Sequence, residues 1–262
     1  MVPDFLLHQI YDFIAGTFKC DEHQNFLEKT YTMNIKPIAH FHSPFSSKFG
    51  IPKQSGLVEC LRGTIVFEHV YRNRDFIRGL DGFDYIWLIW GFSANPHKIS
   101  APVVRPPVLG GNEKVGVFAS RSPFRPNALG LSSVRIESVE QDIQNGPVIN
   151  VLGADLMDGT PIYDIKPYIS YADSHENVRC GFTDNIVLSK LNVNMPENIE
   201  SLFTRDELLS LYKVLELDPR PRYQNDFEKI YGMPYAGYDI HFRVDDGVLT
   251  VIDAVRLRRH LG

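Results

Sequence analysis

The stretch FDYIWLIWGF at residues 83–92 concentrates aromatic and β-branched side chains, the composition of a strand packed on a core. The same texture recurs on both sides of it. IKPIAHF (35–41) and GTIVFEHV (63–70) precede it, and VGVFAS (115–120), LSSVRIESVEQ (131–141) and VINVLGADL (148–156) follow, divided by Gly, Pro, Asn and Asp clusters. Such runs predict a mainly β fold, an all-β barrel or curled sheet. No strand leads into a Gly-rich helix entry, which argues against a doubly wound nucleotide-binding fold. A nucleoside cofactor would have to be held another way.

Upstream, Leu6, Ile10, Phe13 and Ile14 follow Pro3 at helical spacing and predict a short amphipathic helix over 3–18. Downstream, the polar stretch 172–200, which includes NVNMPENIE, reads as a connector. Beyond it Thr204 and Glu207 have capping-box spacing, with Leu208, Leu209, Tyr212 and Leu215 as the apolar face of a helix that ends at DPRP. HFRVDD and VLTVIDAVRL then read as strands about a tight turn at Gly247, making a small α+β module. The expected organisation is an extension over 1–32, a β domain over 33–171, a linker over 172–200 and a module over 201–262.

With 262 residues, 44% of them hydrophobic, the chain has ample material for a packed core. No apolar run reaches the length of a bilayer span and the N-terminus lacks the order of a secretory signal, so a cytoplasmic protein is expected. Cys20, Cys60 and Cys180 are odd in number and widely separated, which suits reduced thiols. His40 and His42 would share one strand face, but no third ligand stands near them, and no metal site is expected.

The net charge of -5 is unevenly spread: residues 98–136 carry six Lys and Arg against one acidic residue, whereas 137–217 carry five against fourteen. A local basic stripe on an acidic protein is either a footprint for a polyanion or a solvated face. It coincides with RPPVLGG (105–111) and GVFASRSPFRPNALGLS (116–132), where Gly permits close backbone approach, Pro stiffens the path and Arg supplies planar donors. Such a loop is a ligand site or an irregular barrel crossover. In DLMDGTPIYDIKPY (155–168), Asp155, Asp158 and Asp164 could accept hydrogen bonds from ribose or an amino group, or serve as a base. Asp158-Gly159 is equally an ordinary turn pair.

SPFSSKFGIPKQSGLV (43–58), RPPVLGG, SRSPFRPNALGLS (120–132), DGTPIYDIKPY (158–168) and DPRPRY (218–223) together closely resemble the TsaA-like family of tRNA methyltransferases, strongly over 33–168 and more loosely over 201–262. The resemblance implies a small antiparallel β-barrel, outside the Rossmann class, that binds S-adenosylmethionine. It also implies a homodimer, a C-terminal module that assists tRNA binding, and methylation of N6 of threonylcarbamoyl-adenosine beside the anticodon. Matched by position, the cofactor residues would be Pro52, Lys53, Gln54, Phe92, Ser93, Arg121, Leu131, Leu152, Gly153, Ala154 and Asp155. Arg121 would suit the methionine carboxylate, and Phe92 or Leu131 an adenine face. The chain departs from the family's commoner form at Lys53, where arginine is frequent, and at Ser93. Asp155 and Asp158 are the candidates for a catalytic acceptor or base, and Arg125, Arg220 and Arg222 for contacts to an anticodon loop. Two other readings stay open: methylation of another RNA or a small molecule, and a non-catalytic nucleotide-binding regulator on the same barrel.

Overall fold

The computed structural model describes residues 33–95, 102–110, 112–184, 186, 189–220 and 226–258. Residues 36–262 form one compact unit. The helix expected over 3–18 lies outside the described residues.

Six strands close the barrel: β1 (Ala39–His42), β2 (Arg62–Phe67), β3 (Tyr85–Gly91), β6 (Leu129–Asp142), β7 (Gly146–Leu152) and β8 (Thr160–Pro167). They run in the order β1-β2-β7-β6-β3-β8, with every neighbour antiparallel. Closure leaves no free strand edge, which a small sheet would otherwise expose to chance pairing. Side chains alternate as a barrel requires: Ile86, Leu88 and Trp90 of β3 point inward to meet Phe41, Ile65, Val134, Ile149, Val151 and Ile162. Two glycines make room for aromatics in this narrow interior. A Cβ on Gly63 would lie 2.1 Å from the Phe41 ring, and one on Gly130 would lie 2.3 Å from the Trp90 indole.

Strand β8 is the element the sequence concealed. Pro161 and Pro167 bracket it, and at Tyr163 its register against β3 slips by one residue between Ile89 and Trp90. That bulge breaks the period-two pattern by which strands are recognised. VGVFAS, by contrast, contributes only the two-residue β5 (Val115–Gly116), paired with β4 (Val103–Val104), before the chain turns into a 3-10 helix.

The chain leaves the barrel through α1 (Ser170–Asp173) and reaches β9 (Asn192–Asn194), α2 (Glu197–Glu200) and α3 (Arg205–Glu216). Strands β10 (Tyr231–Tyr235), β11 (Tyr238–Asp245) and β12 (Val248–Arg256) complete a sheet of order β10-β11-β12-β9. Residues 192–200 therefore belong to this sheet and its helices, and the connector expected over 172–200 ends earlier. Both hairpins have two-residue turns with positive φ at each position: Ala236 and Gly237 (46° and 83°), then Asp246 and Gly247 (40° and 75°). The capping box of α3 forms as its spacing predicts: Thr204 N donates to Glu207 Oε2 at 2.9 Å, and Glu207 N donates to Thr204 Oγ1 at 3.4 Å. The buried face of α3 is Ser210, Leu211, Val214 and Leu215. Leu209, expected on it, is 50% exposed, because it lies one residue from Leu208 and so about 100° round the helix.

A second core forms between α3 and this sheet from Leu211, Leu215, Tyr231, Met233, Tyr235, Ile240 and Phe242. It also takes in Phe45, Val58 and Leu61 from the loop between β1 and β2. The barrel and the C-terminal residues thus share a core.

Candidate active site at the barrel mouth

The strand pairing brings three long connections to one end of the barrel. His42 at the end of β1 pairs with Thr64 near the start of β2, Leu152 at the end of β7 with Arg62, Gly91 at the end of β3 with Leu129, and Thr160 at the start of β8 with Phe41. Loops 43–61, 92–128 and 153–159 consequently meet at one mouth. These segments hold most of the residues that the sequence nominated.

At the centre is Asp155. The Trp90 indole N–H donates to Ser132 Oγ at 3.0 Å, and the Ser132 hydroxyl donates to Asp155 Oδ1 at 2.6 Å. Ser132 is 2% exposed and Trp90 8% exposed, so this relay is sheltered from water. The Ser55 backbone N–H also reaches the carboxylate, and the positive charge of Arg121 acts on it. Burial dominates these contributions and lifts the Asp155 carboxyl above the usual carboxylate range. Arg121 Nη1 in turn donates to Gln54 Oε1, tying the loop after β5 to the loop after β1. Phe92 packs edge-on against Trp90 with ring centroids 4.4 Å apart, and its backbone N–H donates to Ala128 O at 2.9 Å. Gly153, at φ 78°, links the remaining pieces: its O accepts from Gly56 N at 2.8 Å, and its N–H donates to Leu61 O at 2.9 Å.

Gln54, Phe92, Arg121, Gly153 and Asp155 are joined in this way. Pro52, Leu152 and Ala154 are buried beside them along the same segments, while Lys53 and Ser93 lie at the exposed rim and edge of the loops. Leu131 stands apart. It neighbours Ser132 on β6 and therefore points to the opposite face, where it is 59% exposed and paired in register with Ile89. Asp158 also separates from Asp155. It is exposed, accepts from Ser43 N at 3.2 Å and from the His42 ring at 3.1 Å, and precedes Gly159 at φ 75°, the arrangement of a turn. Ser132 and Trp90 were not nominated by sequence. Their signal was present: alternation along β6 sends Ser132 inward between Gly130 and Val134, and a polar residue on a core face needs partners.

The arginines divide similarly. Arg105, Lys114, Arg121 and Arg135 of the basic stretch are exposed. Arg125 is half-buried and donates to Ser120 O at 2.7 Å, bracing the loop. Arg220 is nearly buried, with both Nε and Nη2 committed to Asp218 at 2.8 and 2.9 Å. Two of its three guanidinium nitrogens are thus engaged within the fold, which makes Arg220 a weaker candidate for an RNA contact than the exposed arginines. Arg222 lies outside the described residues.

The mouth offers a guanidinium and an amide at one place and, next to them, a carboxylate whose charge is disfavoured by burial. A carboxylate in that state is completed by a cation and a guanidinium by an anion, so the pair suits a ligand carrying both. Among the described residues no cluster of three or more His, Cys, Asp or Glu side chains is arranged to hold a metal ion. None of their helices is long and apolar enough to cross a membrane.

Comparison with known proteins converges on one family. Residues 40–174 match the tRNA-methyltransferase O N-terminal domain and residues 189–257 the C-terminal domain that accompanies it. The chain is 35% identical over 229 residues to the tRNA (adenine(37)-N6)-methyltransferase of Escherichia coli, covering 84% of this chain and 97% of that protein. It is 39% identical over 175 residues to the enzyme of the same name from Eikenella corrodens, covering 66% of this chain and 97% of that one. A crystal structure of TrmO from Pseudomonas aeruginosa superposes with a TM-score of 0.69 at 28% identity, covering 87% of this chain and 99% of that one.

Proposed function

Because the chain belongs to the tRNA-methyltransferase O family, we propose that it transfers a methyl group from S-adenosylmethionine to N6 of adenine 37 of tRNA, acting on threonylcarbamoyl-adenosine in the cytoplasm. The observation that carries this reading is the linked set Gln54–Arg121–Asp155–Ser132–Trp90, which puts complementary charges at one mouth of a closed barrel. The methyl donor is zwitterionic at its methionine end and carries a positive sulfonium, and when bound it supplies a methyl group for in-line displacement. Arg121 fits its carboxylate, Asp155 offsets its positive charge, and Phe92 and the backbone of 152–154 give a surface for adenine and ribose.

Such a transfer needs alignment and exclusion of water more than covalent chemistry. The barrel supplies both, since Asp155 is fixed through Ser132 to a buried indole and cannot swing with solvent. An N6 atom between a purine and a carbonyl is a weak nucleophile while its N–H is intact, so an accepting group beside it assists. Asp155, whose carboxyl burial holds above the usual carboxylate range, suits that part better than Asp158, which is occupied at its turn. The exposed basic residues Arg105, Lys114 and Arg135 are the surface for the anticodon arm.

A homodimer completes the reading. Leu131 (59% exposed) and Tyr85 (43% exposed) lie on the outer face of β3 and β6, with Trp87 and Tyr168 beside them in contact at 5.9 Å. An apolar strip of this kind is a surface for a second copy of the chain. The test is nucleoside mass spectrometry after incubation of tRNA with isotopically labelled donor. Methylated threonylcarbamoyl-adenosine is the expected product; label on another nucleoside would change the substrate, and bound donor without transfer would make the protein a regulator.

A further inference from the structure

The loop between β1 and β2 has two masters. On its barrel side, Gly56 N donates to Gly153 O at 2.8 Å, Asp158 N donates to Phe45 O at 2.8 Å, and Gln54 takes the Arg121 hydrogen bond. On its other side almost every apolar residue of the loop is sunk in the second core. Phe45 meets Tyr235 edge-on at 5.3 Å, and Phe49 stacks on Tyr231 and on Phe242, each at 6.4 Å. Ala236 N donates to Pro44 O at 2.8 Å, and the Ser210 hydroxyl donates to Cys60 O at 3.1 Å. Gly50, at φ 91°, lies so close to Met233 that an added Cβ would stand 2.2 Å from its Sδ. Arg62, where the loop enters β2, forks between Glu137 of the barrel and Asp206 in the first turn of α3.

We propose that β10 and α3 of the C-terminal module, through Met233, Tyr235 and Ser210, are positioning residues for the methyl-donor loop 50–56, so that donor affinity is set partly by residues that never touch the donor. The inference rests on the reading that Gln54 and Arg121 hold the donor. A loop of this length would sample many conformations alone, and fixing it costs conformational entropy that the donor would otherwise have to supply on binding. Packing on the second core removes that cost in advance. By reciprocity the donor stabilises the packing of the module against the loop by the same factor.

The full-length chain and S-adenosylhomocysteine as probe suffice for the test. Met233→Ala removes the side chain under Gly50 and should raise the Kd for S-adenosylhomocysteine about tenfold, a change of about 1.4 kcal/mol. The kcat at saturating donor should stay within about twofold, since loop position and not chemistry is disturbed. Met233→Leu should restore binding, and Gly50→Ala should weaken it from the loop side. The pair Gly50→Ala with Met233→Ala should be less than additive, because the added methyl enters the space the thioether left. A merely structural contact would lower the melting temperature without moving Kd.

Hydrogen exchange on the unaltered protein serves where a variant does not fold: the probe should slow exchange in 231–236 and 208–215 as well as in 50–56. Unchanged Kd in folded Met233→Ala and Gly50→Ala, or protection confined to the barrel, overturns the inference. Arg121→Ala separates the two levels. If it too leaves Kd unchanged, the donor site itself has been misplaced; if it weakens binding while the module variants do not, the site stands and the positioning role falls.

Discussion

Replacing Ser132 by alanine tests the core of the proposed site, because one hydroxyl serves a buried indole and a part-buried carboxylate. It accepts the Trp90 indole N–H at 3.0 Å and donates to Asp155 Oδ1 at 2.6 Å. The indole N–H has no other partner in reach, and an unpaired buried donor or acceptor costs about 1–3 kcal/mol. Asp155 keeps its bond from Ser55 N–H, so its share is at the low end, and the expected loss is about 2–4 kcal/mol. For a chain of this size that lowers the melting temperature by roughly 4–16 °C.

The loss should also depend on pH, with a sign fixed by the carboxyl. Burial holds the folded Asp155 carboxyl above its unfolded value, and the Ser132 bond acts against that shift, so Ser132→Ala raises it further. Below the unfolded value Asp155 is protonated in both states and its charge contributes nothing. As pH rises through the window up to the folded value, a penalty for the charged form builds, and it is larger in the variant. Urea denaturation at neutral pH and near pH 3 should therefore show the larger deficit at neutral pH, the remainder at acid pH coming from the indole and the bond to the neutral carboxyl. Where Asp155 must be ionised for methyl transfer, the acid limb of kcat against pH moves to higher pH in the variant. Equal stability of variant and parent at neutral pH, or a deficit that does not shrink on acidification, would refute the relay.

Arg121→Ala should weaken donor binding by about 1.5–3 kcal/mol, the worth of a charged hydrogen bond, and calorimetry showing unaltered affinity in the folded variant removes it from the site. Asp155→Asn should raise the melting temperature at neutral pH while lowering methyl transfer, since it deletes a charge the fold disfavours but keeps an acceptor for Ser132; the thermal gain should fade as pH falls toward the ordinary carboxylate range, and a gain constant with pH would contradict the burial argument. Binding of tRNA should fall with salt at a slope of about -2 to -4 in log units if three or four phosphates are neutralised. Arg105→Ala should flatten that slope by about one contact, whereas Arg220→Ala should leave it alone, and a flattening by Arg220→Ala would place that guanidinium on the RNA after all.

Five of the six barrel strands were legible because their runs of Val, Ile, Trp and Phe alternate on a closed core. β8 was not, since Pro161, Pro167 and the bulge at Tyr163 give it the texture of a turn, and only the pairing of Ile38–Phe41 and Tyr85–Trp90 on its two sides makes it a strand. The two-residue turns and the α3 cap could be read directly, because a positive φ or a capping side chain is dictated by two or three neighbouring residues. Contacts across long separations left no such local mark. Nothing around Phe45 or Gly50 announces Tyr235 or Met233, nearly two hundred residues away, and so the C-terminal module read as an appendage with a linker before it. The site shows the same division. The motif positions nominated Gln54, Arg121 and Asp155, which the fold brings together, whereas the burial that raises the Asp155 carboxyl and the pairing that occupies Arg220 exist only after the chain has folded.

These contacts bear on where the chain can be cut. A fragment ending near residue 180 would retain all six barrel strands and every nominated donor residue, and the sequence alone suggests that it should bind the donor unaided. Yet the fragment would expose Phe45, Val58 and Leu61, which are now at most 3% exposed, together with the ring of Phe49. Uncovering a large apolar side chain costs about 1.5–3 kcal/mol, so four of them amount to about 6–12 kcal/mol, comparable with the whole stability of a domain. The loop would avoid that cost by collapsing onto some other apolar surface, and the part of it that holds Gln54 would move with it. In this chain, the aromatic residues at 45 and 49 and the glycine at 50 commit the proposed donor loop to the module that follows it.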